Sequence, residues 1–139
     1  MLLEDTEFPI VWMHYNRTDP RGDEASFLVF DNLLGRKQPF VLIGIGAVDD
    51  HEHSAGERKQ VTLWMKRNRE ALRNYVRAMV YIEPSPARRF VAKASTTVFE
   101  NFWGYPMLVA ASENEALAIA GRLLNGEEAS ALDVGQSDA

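Results

Sequence analysis

Three apolar runs determine the predicted fold class of this chain: Phe40-Val41-Leu42-Ile43-Gly44-Ile45, Ala78-Met79-Val80-Tyr81-Ile82 and Pro106-Met107-Leu108-Val109-Ala110-Ala111. Each run is followed by a stretch whose apolar residues recur at helical spacing. A strand that is apolar at consecutive positions is buried on both faces, as happens when helices cover a mostly parallel sheet. The order therefore predicts an α/β domain with a single small sheet of four or five strands, mostly parallel, and helices packed on it.

Length and composition are those of one globular domain. The chain has 139 residues, of which 46% are hydrophobic and 25% charged, which is ordinary for globular proteins. The alternating pattern extends over residues 1–125, whereas residues 126–139 are small, polar and acidic, so we expect a single domain followed by a flexible tail. The absence of cysteine excludes disulfides, zinc–thiolate sites and thiol catalysis.

The net charge of −5 conceals a basic middle between two acidic ends. There are seven acidic and two basic residues before position 36, six acidic and twelve basic residues from 36 to 93, and seven acidic and one basic residue after that. Free nucleic acid is a poor partner for a chain with acidic ends, so no nucleic-acid partner is predicted. A local anion or an acidic protein surface suits the basic middle.

The N-terminal residues predict neither export nor a membrane anchor. Residues 1–7 are acidic and lack the basic start and long apolar core of a signal peptide. No apolar run approaches the roughly 20 residues that span a bilayer. We therefore expect a cytoplasmic protein without a membrane span.

Apolar residues at helical spacing predict the remaining elements. We expect helices at residues 23–35, 57–75, 86–103 and 112–124, after a first strand at residues 8–15. Ser85 and Ser112 are typical N-caps, because Pro86 follows the first and Glu115 lies three residues after the second. The helix at 86–103 is expected to bury one stripe of residues: Phe90, Val91, Ala94, Val98 and Phe102.

The predicted order, β-α-β-α-β-α-β-α, also indicates where a ligand would bind. Right-handed crossovers are expected to place helices on both faces of the sheet. Ligands of open α/β sheets meet the loops at the carboxyl ends of the strands. These loops are predicted at residues 46–56, 83–86 and 111–112.

The last third of the chain resembles the SpoIIAA-like relatives of STAS domains. The resemblance rests on the strand at 78–82, the helix from Pro86, Trp103-Gly104-Tyr105-Pro106 before Leu108-Val109, and Ser112-Glu113-Asn114-Glu115-Ala116-Leu117. In pattern it covers roughly residues 38–124. It implies a small α/β domain, in a family often found as stand-alone proteins of unassigned function.

The resemblance also implies a phosphorylation site. Classical STAS regulators are phosphorylated on a Ser or Thr that opens the helix after the central strand, in a loop of Asp-Ser-Ser-Gly type. The matching segment here is Asp50-His51-Glu52-His53-Ser54-Ala55-Gly56, in which Ser54 is the only hydroxyl. No Asp directly precedes Ser54, and the loop is longer and more charged than in that pattern.

The same loop holds the densest set of potential metal ligands. His51 and His53 flank Glu52 and follow Asp49-Asp50. Imidazole with carboxylate suits zinc, nickel or copper, and an extended His-x-His places both rings on one side. The sequence identifies no third well-placed ligand, and the alternative is a solvated loop whose charges favour the start of the next helix.

A basic stripe on the helix after this loop is the second candidate surface. Arg58, Lys66, Arg69, Arg73 and Arg77 recur three, four or eight residues apart. Together with Asp50, His51, His53 and Ser54, we predict Arg58, Arg69 and Arg73 as a surface for a ligand or partner. The alternative is a solvated helix face whose charges pair with the acidic ends of the chain.

A third candidate surface is an aromatic turn. Trp103 and Tyr105 flank Gly104 and precede Pro106. Aromatic surface exposed in such a turn is suited to joining two subunits. We therefore predict Trp103 and Tyr105 at an interface.

No catalytic or cofactor motif accompanies these surfaces. Gly44 and Gly46 lack the third glycine of a dinucleotide fingerprint, because position 49 is Asp. No cofactor is predicted. The leading interpretation is a non-enzymatic cytoplasmic regulatory or protein-interaction domain of SpoIIAA-like type, which binds a protein partner or forms a homodimer. The alternative is a small-ligand- or metal-binding α/β protein, with or without enzymatic activity, that uses residues 49–54.

Overall fold

The computed structural model describes residues 1–22, 24–46 and 55–132 and contains one five-stranded sheet. The strands are β1 (Leu2–Glu4), β2 (Ile10–His14), β3 (Phe40–Ile45), β4 (Val76–Ile82) and β5 (Met107–Ala110). The helices are α1 (Glu24–Gly35), α2 (Ala55–Tyr75), α3 (Pro86–Ala94), α4 (Thr96–Trp103) and α5 (Glu113–Leu124). Strands β2 to β5 are parallel. The predicted fold class, an α/β domain with a mostly parallel sheet, is confirmed.

An edge strand that the sequence pattern did not predict completes the sheet. β1 pairs with β2 in antiparallel orientation, with Leu3 opposite Met13. Leu3 is its one buried residue. A strand of three residues with one buried side chain is too short to show the alternation of apolar and polar residues that predicts a strand. β1 is therefore identified only from its pairing with β2.

The strands follow one another across the sheet in chain order. Right-handed crossovers that always step to the next strand in the same direction lie on the same face of the sheet. The three crossovers are α1, α2 and the pair α3–α4, and Phe30 and Trp64 join one core cluster against which Phe99 packs. Helix α5 follows the last strand and covers the other face. Helices cover both faces, as predicted, but α5 alone among the five named helices covers the second.

The central strand β3 shows why the first apolar run has no alternation. Phe40 and Leu42 belong to the core beneath α1 and α2, whereas Val41 and Ile43 belong to the core beneath α5. Successive side chains of a strand point to opposite faces. All four are fully buried because both faces of β3 are covered.

The ends of two helices follow the predicted capping. The Ser85 hydroxyl accepts a hydrogen bond from the Arg88 amide, and the Ser112 hydroxyl accepts one from the Glu115 amide. Beyond α5 the chain stays packed as far as Leu132, which is buried in the core beneath α5. Packing therefore continues past residue 125, where the sequence pattern placed the start of a flexible tail. In the described part of the chain, no helix combines the length and the hydropathy that a bilayer crossing requires.

The segment predicted as one helix at 86–103 forms α3 and α4, which meet at Ser95. The backbone of Ser95 remains near the right-handed helical region, at φ −92° and ψ −5°, so the pattern of faces continues through the junction. The predicted buried stripe is wrong. Phe90, Val91 and Val98 are 77%, 65% and 72% exposed, and Phe102 is 37% exposed.

The reason is a second apolar face on the same segment. Phe99 and Trp103 point inward, and their ring centroids lie 5.6 and 6.2 Å from the buried ring of Tyr105. The opposite face carries two rings as well, Phe90 and Phe102, so ring size alone does not decide which face is buried. Packing on the buried Tyr105 ring sets the rotation of the segment, and the stripe through Phe90 faces solvent.

This rotation is tested by comparing two phenylalanines. We expect Phe99→Ala to lower the free energy of unfolding by about 2 kcal/mol, because it opens space beside Tyr105. The matched change Phe90→Ala should alter it by less than about 0.5 kcal/mol, because the Phe90 ring is exposed. Urea unfolding of both variants measures this. A larger loss for Phe90→Ala than for Phe99→Ala would contradict the observed rotation.

Gly44 in β3 provides a second stability test. A Cβ atom there would lie 2.8 Å from Tyr15 Cε2 and 3.1 Å from Tyr81 Cδ2. We expect Gly44→Ala to cost about 1–3 kcal/mol, because both rings must move. Gly121→Ala in α5 is the control, since its Cβ would meet nothing within 4 Å, and it should stabilise the helix by about 0.5–1 kcal/mol. Equal denaturation midpoints for the two variants would refute the close packing of Tyr15 on Gly44.

Candidate functional site

Two tyrosines close the sheet at the carboxyl ends of β2, β3 and β4. The Tyr81 hydroxyl donates a hydrogen bond to the Gly46 carbonyl oxygen at 3.3 Å. The Tyr15 ring lies over Gly44, and its centroid is 6.0 Å from that of Tyr81. The rings fill the space above the strand ends, from which the predicted ligand loop departs.

Most of the predicted loop site lies outside the described residues. This holds for Asp50, His51, His53 and Ser54, and for Asp49. Metal binding at His51 and His53 and phosphorylation at Ser54 therefore stay predictions. In residues 1–22, 24–46 and 55–132, no group of three or more acidic or histidine side chains is arranged to hold a metal ion.

His14, the histidine of the described chain, is part of the edge pairing between β1 and β2. Its Nε2 lies 2.8 Å from Glu4 Oε2. The hydrogen bond from His14 lowers the pKa of the Glu4 carboxyl group. The His14 ring is thus held against a carboxylate of the neighbouring edge strand β1.

Two of the buried tyrosines, Tyr15 and Tyr105, have raised pKa values. Burial raises the pKa of Tyr15, and the neighbouring Tyr81 raises it further. Burial also raises the pKa of Tyr105, with a smaller contribution from Tyr15. Both hydroxyl groups stay protonated well beyond neutral pH, so neither is suited to take a proton from a substrate.

Helix α2 carries four cations on one flank, and we call Arg58, Lys66, Arg69 and Arg73 the cationic flank. Their spacing places them beside one another along α2, next to the buried face formed by Trp64, Met65 and Leu72. At 1.5 Å per residue the flank extends over roughly 22 Å. Arg77 belongs to β4 and not to this stripe, because α2 ends at Tyr75.

Two members of the cationic flank, Arg69 and Arg73, contact α4 and the turn after it. Arg69 Nη2 donates a hydrogen bond to the Asn101 carbonyl oxygen at 3.0 Å. A Cβ atom on Gly104 would lie 3.1 Å from Arg73 Cγ, so the Arg73 side chain passes over Gly104. Gly104 has φ +87° and ends α4. The Arg73 side chain therefore packs on the turn at Gly104, and a larger residue at position 104 would displace this side chain.

The cationic flank has one carboxylate beside it on α2, Glu70, which lies one turn from Lys66 and from Arg73. None of the four side chains forms an ion pair within residues 1–22, 24–46 and 55–132. By contrast, Arg21, Arg36 and Arg122 each have an Asp or Glu partner within 3 Å. The flank is an electropositive strip, with the partly exposed Phe102 on the adjoining helix.

The aromatic turn is only partly exposed. Tyr105 is 3% exposed and lies in the core, so it is not available to a second subunit as predicted. Trp103 is half-buried against Phe99 and Tyr105. The exposed apolar residues that the sequence interpretation placed in the core are Phe90, Val91, Val98 and Phe102. A signal for them existed, since residues 86–103 hold two apolar faces and only one can be buried.

Comparison with known proteins adds no relative: no family model, no curated protein and no solved structure matches this chain. The likeness to SpoIIAA-like domains therefore rests on the residues quoted above. What the chain does is inferred from its own geometry.

The buried tyrosines predict how stability depends on alkaline pH. Because folding raises the pKa of Tyr15 and Tyr105, their stabilising effect is complete below the ordinary pKa of 10.0. It is lost as pH rises above that value, where the unfolded chain ionises first. We expect Tyr15→Phe with Tyr105→Phe to reduce the loss of stability above pH 10. Urea midpoints at neutral and alkaline pH measure this, and an alkaline loss equal to that of the parent protein would contradict it.

Proposed function

We propose that this chain is a cytoplasmic, non-enzymatic protein-interaction domain of SpoIIAA-like type, which binds an acidic protein surface along the cationic flank of α2. The observation that carries the proposal is the lack of ion-pair partners for Arg58, Lys66, Arg69 and Arg73 in the described structure. Guanidinium groups bind carboxylates through two parallel hydrogen bonds, so a row of carboxylates is the matching surface.

The setting of the flank supports a folded protein as the partner. Arg69 is tied to α4 through the Asn101 carbonyl, and Arg73 rests on Gly104, so two of the four cations are held in place. Held side chains lose less conformational entropy on binding than free ones.

The charge of the whole chain favours a compact acidic partner over a nucleic acid. The net charge is −5, and both ends of the sequence are acidic. A long polyanion would meet these acidic regions as well as the flank, whereas a protein surface can be confined to the flank. The partner class we propose is therefore an acidic patch on another protein.

Charge reversal at two adjacent residues tests this. Lys66 belongs to the cationic flank, whereas Arg67 lies about 100° further round α2 and outside the flank. Both side chains line the groove toward Leu28 of α1. Both are exposed, and both variants, Lys66→Glu and Arg67→Glu, change the net charge equally. With poly-L-glutamate as the probe, we expect Lys66→Glu to weaken binding about tenfold and Arg67→Glu about twofold or less. Titration calorimetry at low and moderate salt measures both.

Crosslinking in cells tests whether the cationic flank contacts acidic proteins and not only the poly-L-glutamate probe. A photoreactive residue at position 66 should crosslink to acidic proteins, and the same residue at Ala118, exposed on α5, should not. The crosslink at 66 should disappear when Arg58→Glu and Arg73→Glu are added. The proposal fails if the two positions capture the same species, if nucleic acid is captured, or if Lys66→Glu and Arg67→Glu weaken poly-L-glutamate binding equally.

A further inference from the structure

The outward side of α3 and α4 is a helix face without charged residues. We call it the uncharged face, and it consists of Ala87, Phe90, Val91, Ala94, Thr97, Val98, Asn101 and Phe102. All eight residues are exposed. Their spacing forms a stripe about 140° wide, which is as wide as the face that a surface helix normally turns toward a core.

The other exposed helix faces of the described chain differ in kind. α1 exposes Glu24 and Asp31, and α5 exposes Glu113, Glu115 and Arg122. α2 exposes the cationic flank. Among the described residues, α3–α4 is therefore the helix pair whose outward face is both apolar and free of charge.

This chemistry restricts what can cover the uncharged face. A partner that placed a carboxylate or an ammonium group against Ala94 and Val98 would bury that charge without a counter-charge. The occupant must itself present an uncharged, largely apolar surface. A second copy of this chain presents such a face.

We propose that two copies pair through their uncharged faces, with the helices antiparallel and a twofold axis beside Ala94. In this arrangement Phe90 lies opposite Val98 of the second copy, Ala87 lies opposite Asn101, and Ala94 meets its own equivalent. Each large ring then faces a smaller side chain, and the alanine at the axis lets the two backbones approach. A twofold interface requires this self-complementarity of one patch.

The charge at the edge of the face favours the antiparallel orientation. Arg88 is exposed beside the face, near the start of α3. A parallel pair would bring the two Arg88 guanidinium groups together. The antiparallel pair separates them and places each near the end of the second copy's α4, where the helix dipole is negative. No other charged residue needs to enter the interface.

The size of the uncharged face determines how tightly the two copies are expected to bind. The exposed parts of Phe90, Val91, Val98 and Phe102 amount to about 400 Å² per copy, about half of the area that each partner buries in a standard interface. We therefore expect a weak dimer with a dissociation constant on the order of 100 μM. The monomer–dimer equilibrium should be visible across an accessible range of concentration.

Sedimentation equilibrium of the full chain over a concentration series tests the dimer. Val98→Glu puts a carboxylate into the centre of the face and should weaken dimerisation at least tenfold. Leu28→Glu is the control, because Leu28 on α1 is 66% exposed and Val98 is 72% exposed. Leu28→Glu should leave the dimer unchanged, and thermal unfolding checks that both variants fold. A parent protein that is monomeric throughout, or a dimer that Val98→Glu does not affect, would overturn the proposal.

Introduced cysteines test the orientation, since the natural chain has none. A mixture of Ala87→Cys and Asn101→Cys proteins should form the mixed disulfide faster than either forms its own, and preference for the like pairs would overturn the antiparallel arrangement.

Binding to lipid vesicles tests the alternative occupant, a membrane. Vesicles of neutral lipid and of anionic lipid are added to the protein in separate experiments. If a monomeric protein binds them and Val98→Glu abolishes that binding, the face is a membrane contact and the dimer is refuted. The cationic flank is not part of the proposed dimer interface. We therefore expect Lys66→Glu to leave dimerisation unchanged.

Discussion

The arrangement of the surfaces depends on one constraint, the right-handed crossover between neighbouring parallel strands. Because β2, β3, β4 and β5 follow each other in chain order, every crossover helix falls on the same face. Helix α2 is thereby fixed between α1 and α4, and each of its two flanks has a different neighbour. Because α4 is the neighbour of α2 on one side, Arg69 and Arg73 can contact it and the turn after it. Chain order thus fixes which elements meet, and the side chains fix what their meeting surfaces can bind.

The sequence pattern predicted those parts of the fold in which one interaction dominates. The bounds of β3 follow directly from the run at Phe40, because every residue in it except Ile45 is buried. The caps at Ser85 and Ser112 follow from local hydrogen bonding, which depends on few neighbours. The edge strand β1 could not be found in this way, since Leu3 is its only buried residue and its hydrogen bonds come from β2.

The candidate surfaces were likewise predictable where local spacing determines them and unpredictable where tertiary packing does. The cationic stripe could be predicted because spacing on a helix survives folding unchanged, and Arg58, Lys66, Arg69 and Arg73 do share one flank. Arg77 could not be separated from them, because the change from helix to strand after Tyr75 leaves no turn residue as a signal. The rotation of α3–α4 was beyond reach for a different reason. Both of its faces are apolar, and the choice between them is made by Tyr105, which comes from the following turn and receives Phe99 and Trp103.

Both proposed surfaces meet at α4, and this has a consequence for binding. Asn101 belongs to the uncharged face, and its carbonyl oxygen accepts the hydrogen bond from Arg69 of the cationic flank. A twofold pair formed through the uncharged face would carry two cationic flanks in a fixed relation, one on each copy. A partner with two acidic patches at the matching separation would then bind the second flank without a new loss of translational freedom. A weak dimer contact and a strip of four cations, each modest alone, would in this way act together on one partner.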